Sequence, residues 1–100
     1  MYYKLTTTGE VTELSSPVEL QDLQSAVGGY IEPVYLHNTA KYLYCNEEGV
    51  YAGLPLNPVA SLLTNKPILG DVVLVDFSKE EIQDIEDLYV DYLMGEEEDD

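Results

Sequence analysis

The chain has no arginine and no tryptophan, and it carries one cysteine, one histidine, one phenylalanine and four lysines in 100 residues. Four cations against 20 acids give a formal net charge of −16. Polyanionic partners, whether DNA, RNA or an anionic membrane face, are therefore repelled over roughly a Debye length of 8 Å. Direct nucleic-acid or membrane binding is not expected. Cys45 has no second cysteine to pair with, which suits a reducing, cytoplasmic setting. One histidine and one cysteine do not make a structural zinc site, so no metal or cofactor is expected. Apolar runs fall short of the roughly 18 residues of a membrane span. The opening "MYYKLTTTGE" lacks a basic stretch followed by an apolar one, the mark of a secretory leader.

Apolar residues nevertheless make up 45% of the chain, too many for a wholly disordered polymer and enough for one modest core. The negative charge is unevenly placed. Residues 1–75 hold eight acids and three lysines, a net −5, whereas 76–100 hold twelve acids and one lysine, a net −11. A uniform halophilic coat would spread this charge evenly.

Local patterns predict an α+β domain over residues 1–94, a small mixed or antiparallel sheet packed with two or three helices, followed by an acidic disordered tail at 95–100. "YYKLTTTGEVTEL" reads as a strand or hairpin about Gly9. In "SSPVELQDLQSAVGG", Ser16 as cap, Pro17 at the first helical position and Glu19 as capping-box acid predict a helix. Leu20, Leu23 and Val27 form its apolar face, and Gly28 and Gly29 stop it. "YIEPVYLH" reads as a strand that Pro33 confines to an edge or a bulge. "KYLYC" is a second strand, joined to "VYAG" by a turn at "NEEG" with Gly49 in the left-handed position. Asn57 and Pro58 open a short helix, and Val72 to Val75 form a buried strand after a Gly70–Asp71 turn. Ser78 and Glu81 make a capping box for an amphipathic C-terminal helix. Its Ile82, Ile85, Leu88, Tyr89, Tyr92 and Leu93 fall within an arc of about 140°, a core-facing stripe.

The blocks "LQSAVGGYIE" (23–32), "NEEGVYAGLPLNPVA" (46–60) and "GDVVLV" (70–75) resemble a family of small domains of unknown function from tailed phages, mobile elements and their bacterial hosts. The resemblance covers about residues 18–76. It implies a phage or mobile-element origin and a compact α+β fold, and it brings no activity, cofactor or catalytic residue with it. The acidic helix and tail lie outside it.

The strongest functional signal is that helix. Glu80, Asp84, Asp87 and Asp91 gather opposite the apolar stripe and span about 16 Å. The same length of B-DNA carries roughly five phosphates per strand. Such a ridge suits the basic groove of a nucleic-acid-binding protein; it is equally the surface of a solvated helix. Acids at a helix C-terminus oppose the macrodipole, so Asp91 and the 96–100 run are not there to stabilise it. Gly28, Gly29, Tyr30 and Glu32 form the second candidate, read either as a close-approach site for a ligand or as a helix cap, a turn and a half-buried tyrosine. The pair lacks the third glycine and the lysine of a phosphate loop. Glu47 and Glu48 have the residue type for acid–base or metal chemistry but also the setting of a solvated turn. His37 and Cys45 would need an aligning fold and a third group to act as a nucleophilic pair. Nine tyrosines suit sheet packing and interfaces alike, and edge-strand self-association is compatible with them.

The expectation is thus a non-enzymatic acidic interaction protein that occupies the basic surface of a host DNA- or RNA-binding protein in the bacterial cytoplasm. The alternative is a small-ligand-binding domain built on residues 28–60, with the acidic end only solubilising.

Overall fold

The structure, a computed structural model, describes residues 1–95. The expected acidic tail therefore lies, from residue 96 onward, outside the described residues. The elements are β1 (Tyr2–Leu5), β2 (Val11–Glu13), α1 (Leu20–Val27), β3 (Ile31–Tyr35), β4 (Tyr42–Asn46), α2 (Pro58–Thr64), β5 (Val72–Val75) and α3 (Lys79–Gly95). The strands form one sheet in the order β2-β1-β5-β4-β3, with every neighbouring pair antiparallel. This is the α+β fold that the sequence predicts.

The central place of β5 explains its composition. All four of its residues are buried, Val72 and Leu74 on one face of the sheet and Val73 and Val75 on the other, so no position is free for a polar side chain. α2 and α3 cover the first face, closing a core of Tyr3, Leu5, Leu43, Val59, Val72, Leu74, Ile82 and Ile85. The shorter α1 covers part of the second through Leu23, Ala26, Val27 and Val73. Pro33 lies on β3, an edge strand, as a residue without an N–H should. The β1–β2 hairpin tip at Gly9 (φ 88°) rests against α3, where a Cβ would sit 2.5 Å from the Tyr89 ring. Only glycine satisfies both the backbone and the contact.

Three local expectations are overturned. α1 begins at Leu20. Its N-cap is Glu19, in extended conformation, and the capping box is Glu19 with Asp22 rather than Ser16 with Glu19. Leu20, on that first turn, is exposed. "VYAG" is not a strand: β4 already has β3 and β5 on its two sides, so no ladder is open to it. Residues 47–53 instead form successive turns, and Gly53 (φ 68°), not Gly49, takes the left-handed conformation.

The other caps follow the sequence. Gly28 (φ 81°) and Gly29 both donate to the Gln24 carbonyl and close α1. Asn57 caps α2 by accepting from the Ala60 N–H at 3.1 Å, with Pro58 at the first helical position. Fully buried, it also donates through Nδ2 to the carbonyls of Leu5 and Gly70, tying α2 to β1 and to the turn before β5. Ser78 and Glu81 exchange hydrogen bonds of 2.9 and 3.1 Å at the start of α3. Lys41 secures the same end, pairing with Glu81 at 3.4 Å, reaching the Asp76 carbonyl and lying over the Phe77 ring.

α3 outruns the sheet beneath it. Its 17 residues extend about 25 Å, whereas strands of three to five residues extend about 10–17 Å. Ile82 and Ile85 are buried and Leu88 and Tyr89 half-buried, but Tyr92 and Leu93 are 40% and 50% exposed. The core-facing stripe therefore ends at Tyr89, four residues short of its predicted end. No helix among the described residues is long and apolar enough to cross a membrane.

Candidate functional site

Glu80, Asp84, Asp87 and Asp91 are all exposed on one continuous helix, on the side away from Ile82 and Ile85. The buried stripe fixes the rotation of α3, and that rotation aims the carboxylates at solvent. None of the four makes an ion pair within 4 Å among the described residues. The one side-chain partner among them is Gln83, whose Nε2 donates to Asp87 Oδ1 at 3.2 Å. Two of the four lysines are engaged elsewhere, Lys41 with Glu81 and Lys4 with Asp71. The Glu81 carboxyl is held below its usual range, chiefly by the Ser78 backbone N–H, with the Ser78 hydroxyl and Lys41 adding to it. That acid is consumed in building the helix start, whereas the other four carry no structural duty of this kind.

The second candidate divides. Gly28, Gly29 and Tyr30 line a shallow groove of about 300 Å³ together with Asn46 and Glu48. Glu32 lines a separate groove of about 350 Å³ with Cys45, Glu47, Glu48, Tyr51 and Lys66. The turn at 46–49 stands between them. Asn46 anchors it, donating to the Val27 carbonyl at 3.1 Å and accepting from the Glu48 N–H at 2.7 Å. A Cβ on Gly29 would approach Asn46 Nδ2 to 2.9 Å, so this glycine is needed for packing. Tyr30 is 67% exposed, not half-buried as the structural reading had it.

Cys45 and His37 are not brought together. Cys45 pairs with Glu32 near one end of the β3–β4 ladder, whereas His37 lies beyond Tyr35 at the other end. The Cys45 thiol is buried, and burial foremost, then the Glu32 carboxylate, raises its pKa, the opposite of an activated nucleophile. Glu47 and Glu48 are exposed, and no group of three His, Cys, Asp or Glu side chains able to hold a metal occurs among the described residues.

Two features escape sequence reasoning. Tyr35, Tyr42 and Tyr44 form an edge-to-face ladder with ring centroids 5.8 and 5.5 Å apart, on the sheet face that α1 covers in part. Its signal was the two-residue spacing of Tyr42 and Tyr44. A groove of about 400 Å³ also runs between Leu56, Pro58, Leu62 and Tyr92; its residues come from two segments distant in sequence, 56–67 and α3, which no local pattern connects.

No curated protein and no solved structure matches the chain. One family does match, over residues 3–95, and so takes in the acidic helix that the resemblance over 18–76 had left out. The chain belongs to the family described as a domain of unknown function, DUF3846.

Proposed function

We propose that this protein is an acidic interaction module that occupies the basic, nucleic-acid-binding surface of a host protein by steric and electrostatic mimicry, without chemistry of its own. The observation that carries the reading is the set Glu80, Asp84, Asp87 and Asp91, exposed and unpaired by lysine among the described residues, on one face of a helix whose rotation the core fixes. Four carboxylates over about 16 Å approach the charge spacing of one DNA strand. A net charge of −16 adds long-range attraction to a cationic cleft. The phage or mobile-element origin, with action in the bacterial cytoplasm, rests on the three sequence blocks at 23–32, 46–60 and 70–75.

The test is affinity capture from a bacterial lysate at low and high salt, with the four acids intact and with all four replaced by lysine. Dissolved salt screens exposed charge pairs, so the partner should be a basic protein released by salt. The variant should lose binding while its circular dichroism and unfolding midpoint stay native-like. Retained affinity in the folded variant rejects the mimicry. The grooves flanking residues 46–49 favour the second reading, a small-ligand domain within 28–60. There the same variant keeps its ligand, and a metabolite rather than a protein co-purifies.

A further inference from the structure

The sheet ends in two edge strands, β3 and β2, whose outward backbone groups differ. On β3, the Tyr30 carbonyl accepts from the Glu47 N–H and the Leu36 N–H donates to the Lys41 carbonyl. Glu32 and Val34, two and four residues from Tyr30, therefore also face β4, and Ile31, Pro33 and Tyr35 present their backbone outward. Pro33 stands in the middle of that outward row with no N–H to offer, so β3 is a blunted edge. On β2, the Thr6 N–H donates to the Glu10 carbonyl and the Leu14 N–H to the Tyr2 carbonyl, both at 2.9 Å. Glu10, Thr12 and Leu14 thus face β1, and the N–H and C=O groups of Val11 and Glu13 point away from the sheet. No strand, turn or side chain among the described residues pairs with these outward groups. β2 is also firmly seated. Val11 packs against the core under α3, Leu14 against the core under α1, and the hairpin tip at Gly9 abuts Tyr89.

Charge selects what can pair there. Glu13 is exposed and Glu10 half-exposed, and neither carboxylate has an ion pair within 4 Å among the described residues. Lys4, the cation on the neighbouring strand, is engaged with Asp71 at 3.6 Å. A second copy would bring its own Glu10 and Glu13 to the same edge on a chain of net charge −16, and is repelled. A strand with lysine or arginine opposite the two acids instead meets opposite charge across the ladder. The spacing follows from the register. An antiparallel strand laid along β2 sets one cation opposite Glu13, any residue opposite Thr12, an apolar residue opposite Val11 and a second cation opposite Glu10.

We propose that the β2 edge takes up an extended basic segment of a partner protein as a sixth, antiparallel strand, with the pattern basic, any, apolar, basic. The backbone groups of Val11 and Glu13 supply the hydrogen bonds, and Glu10 and Glu13 choose the sequence. This goes beyond the acidic-ridge reading and uses no residue of α3.

The probes are three synthetic peptides of about eight residues. One has a Lys-Thr-Val-Lys core, the second has glutamine for both lysines, and the third is the lysine peptide N-methylated at the first lysine and the valine, whose N–H groups would face β2. Each is titrated into the isotope-labelled full-length chain at about 150 mM salt, with amide exchange as the readout. The lysine peptide should bind about tenfold tighter than the glutamine peptide, or better, and slow exchange of the Val11 and Glu13 amides. The N-methylated peptide should leave both amides as they are. Glu13→Pro, which gives β2 the kind of block that β3 already has, should abolish the binding with circular dichroism unchanged. Replacing Glu80, Asp84, Asp87 and Asp91 by lysine should leave the same two amides protected. Binding that survives N-methylation or Glu13→Pro overturns the strand pairing. Equal or absent binding of the lysine and glutamine peptides overturns the basic occupant. Shifts confined to α3 that vanish in the four-lysine variant overturn the edge and leave the ridge standing. A dimer in sedimentation velocity that Glu13→Pro dissociates assigns the edge to a second copy and overturns the proposal.

Discussion

Ile82 and Ile85, at the N-terminal end of α3, are 7% and 4% exposed, whereas Tyr92 and Leu93, on the same stripe at the C-terminal end, are 40% and 50% exposed. The first end has a reciprocal Ser78–Glu81 cap, a lysine clamp and sheet beneath it. The second has no basic residue in its last turn, carries Asp91 against the macrodipole and extends past the strands. One amphipathic pattern thus serves two purposes: it builds the core where there is sheet to bury against and leaves an apolar surface where there is none.

Truncation should separate the two ends of α3 most sharply. Ile85→Ala should destabilise by about 3 kcal/mol through a buried cavity, and Leu93→Ala by less than about 0.5 kcal/mol, both read from urea unfolding. Comparable losses would mean that both ends belong to the core. A smaller effect separates the caps: Ser78→Ala should cost about 1 kcal/mol, visible as a lowered thermal midpoint. The contribution of Glu81 also has a pH signature. Its folded pKa is depressed, so its stabilisation is present above the unfolded value of about 4.3 and fades as pH falls through the lower folded one. The difference between wild type and Glu81→Gln should therefore be constant at neutral pH and shrink in acid. It should be modest throughout, because the side chain is 39% exposed. The smallest change has the opposite sign. Asp91→Lys should stabilise the chain by about 0.3–1 kcal/mol by complementing the helix dipole, and under the proposed mimicry it should also weaken capture of a basic protein. A residue that costs stability where it stands and is needed for binding would separate function from folding.

Punctuation was the most legible level of the sequence. Asn57–Pro58, Ser78–Glu81 and Gly28 each satisfy backbone groups within a few residues, so local spacing reveals them. The start of α1 is ambiguous in the sequence because Ser16–Glu19 and Glu19–Asp22 offer the same three-residue spacing, and only the folded backbone chooses between them. "VYAG" failed for a tertiary reason: a strand needs an unoccupied neighbour, and β4 has none. The acidic ridge was readable because one helical period determines it. The Leu56–Leu62–Tyr92 groove was not, since it exists only once α2 and α3 lie side by side.

The position of β5 bears on how the chain assembles. β1 with β2 and β3 with β4 are local hairpins, and no ladder joins one pair to the other except through residues 72–75. During synthesis, therefore, the first seventy residues emerge as two unlinked halves whose long-range pairing waits for a four-residue insert from near the end. Fully apolar and without a ladder partner until it docks, that insert is the part of the newborn protein with the greatest need of prompt shelter from its neighbours.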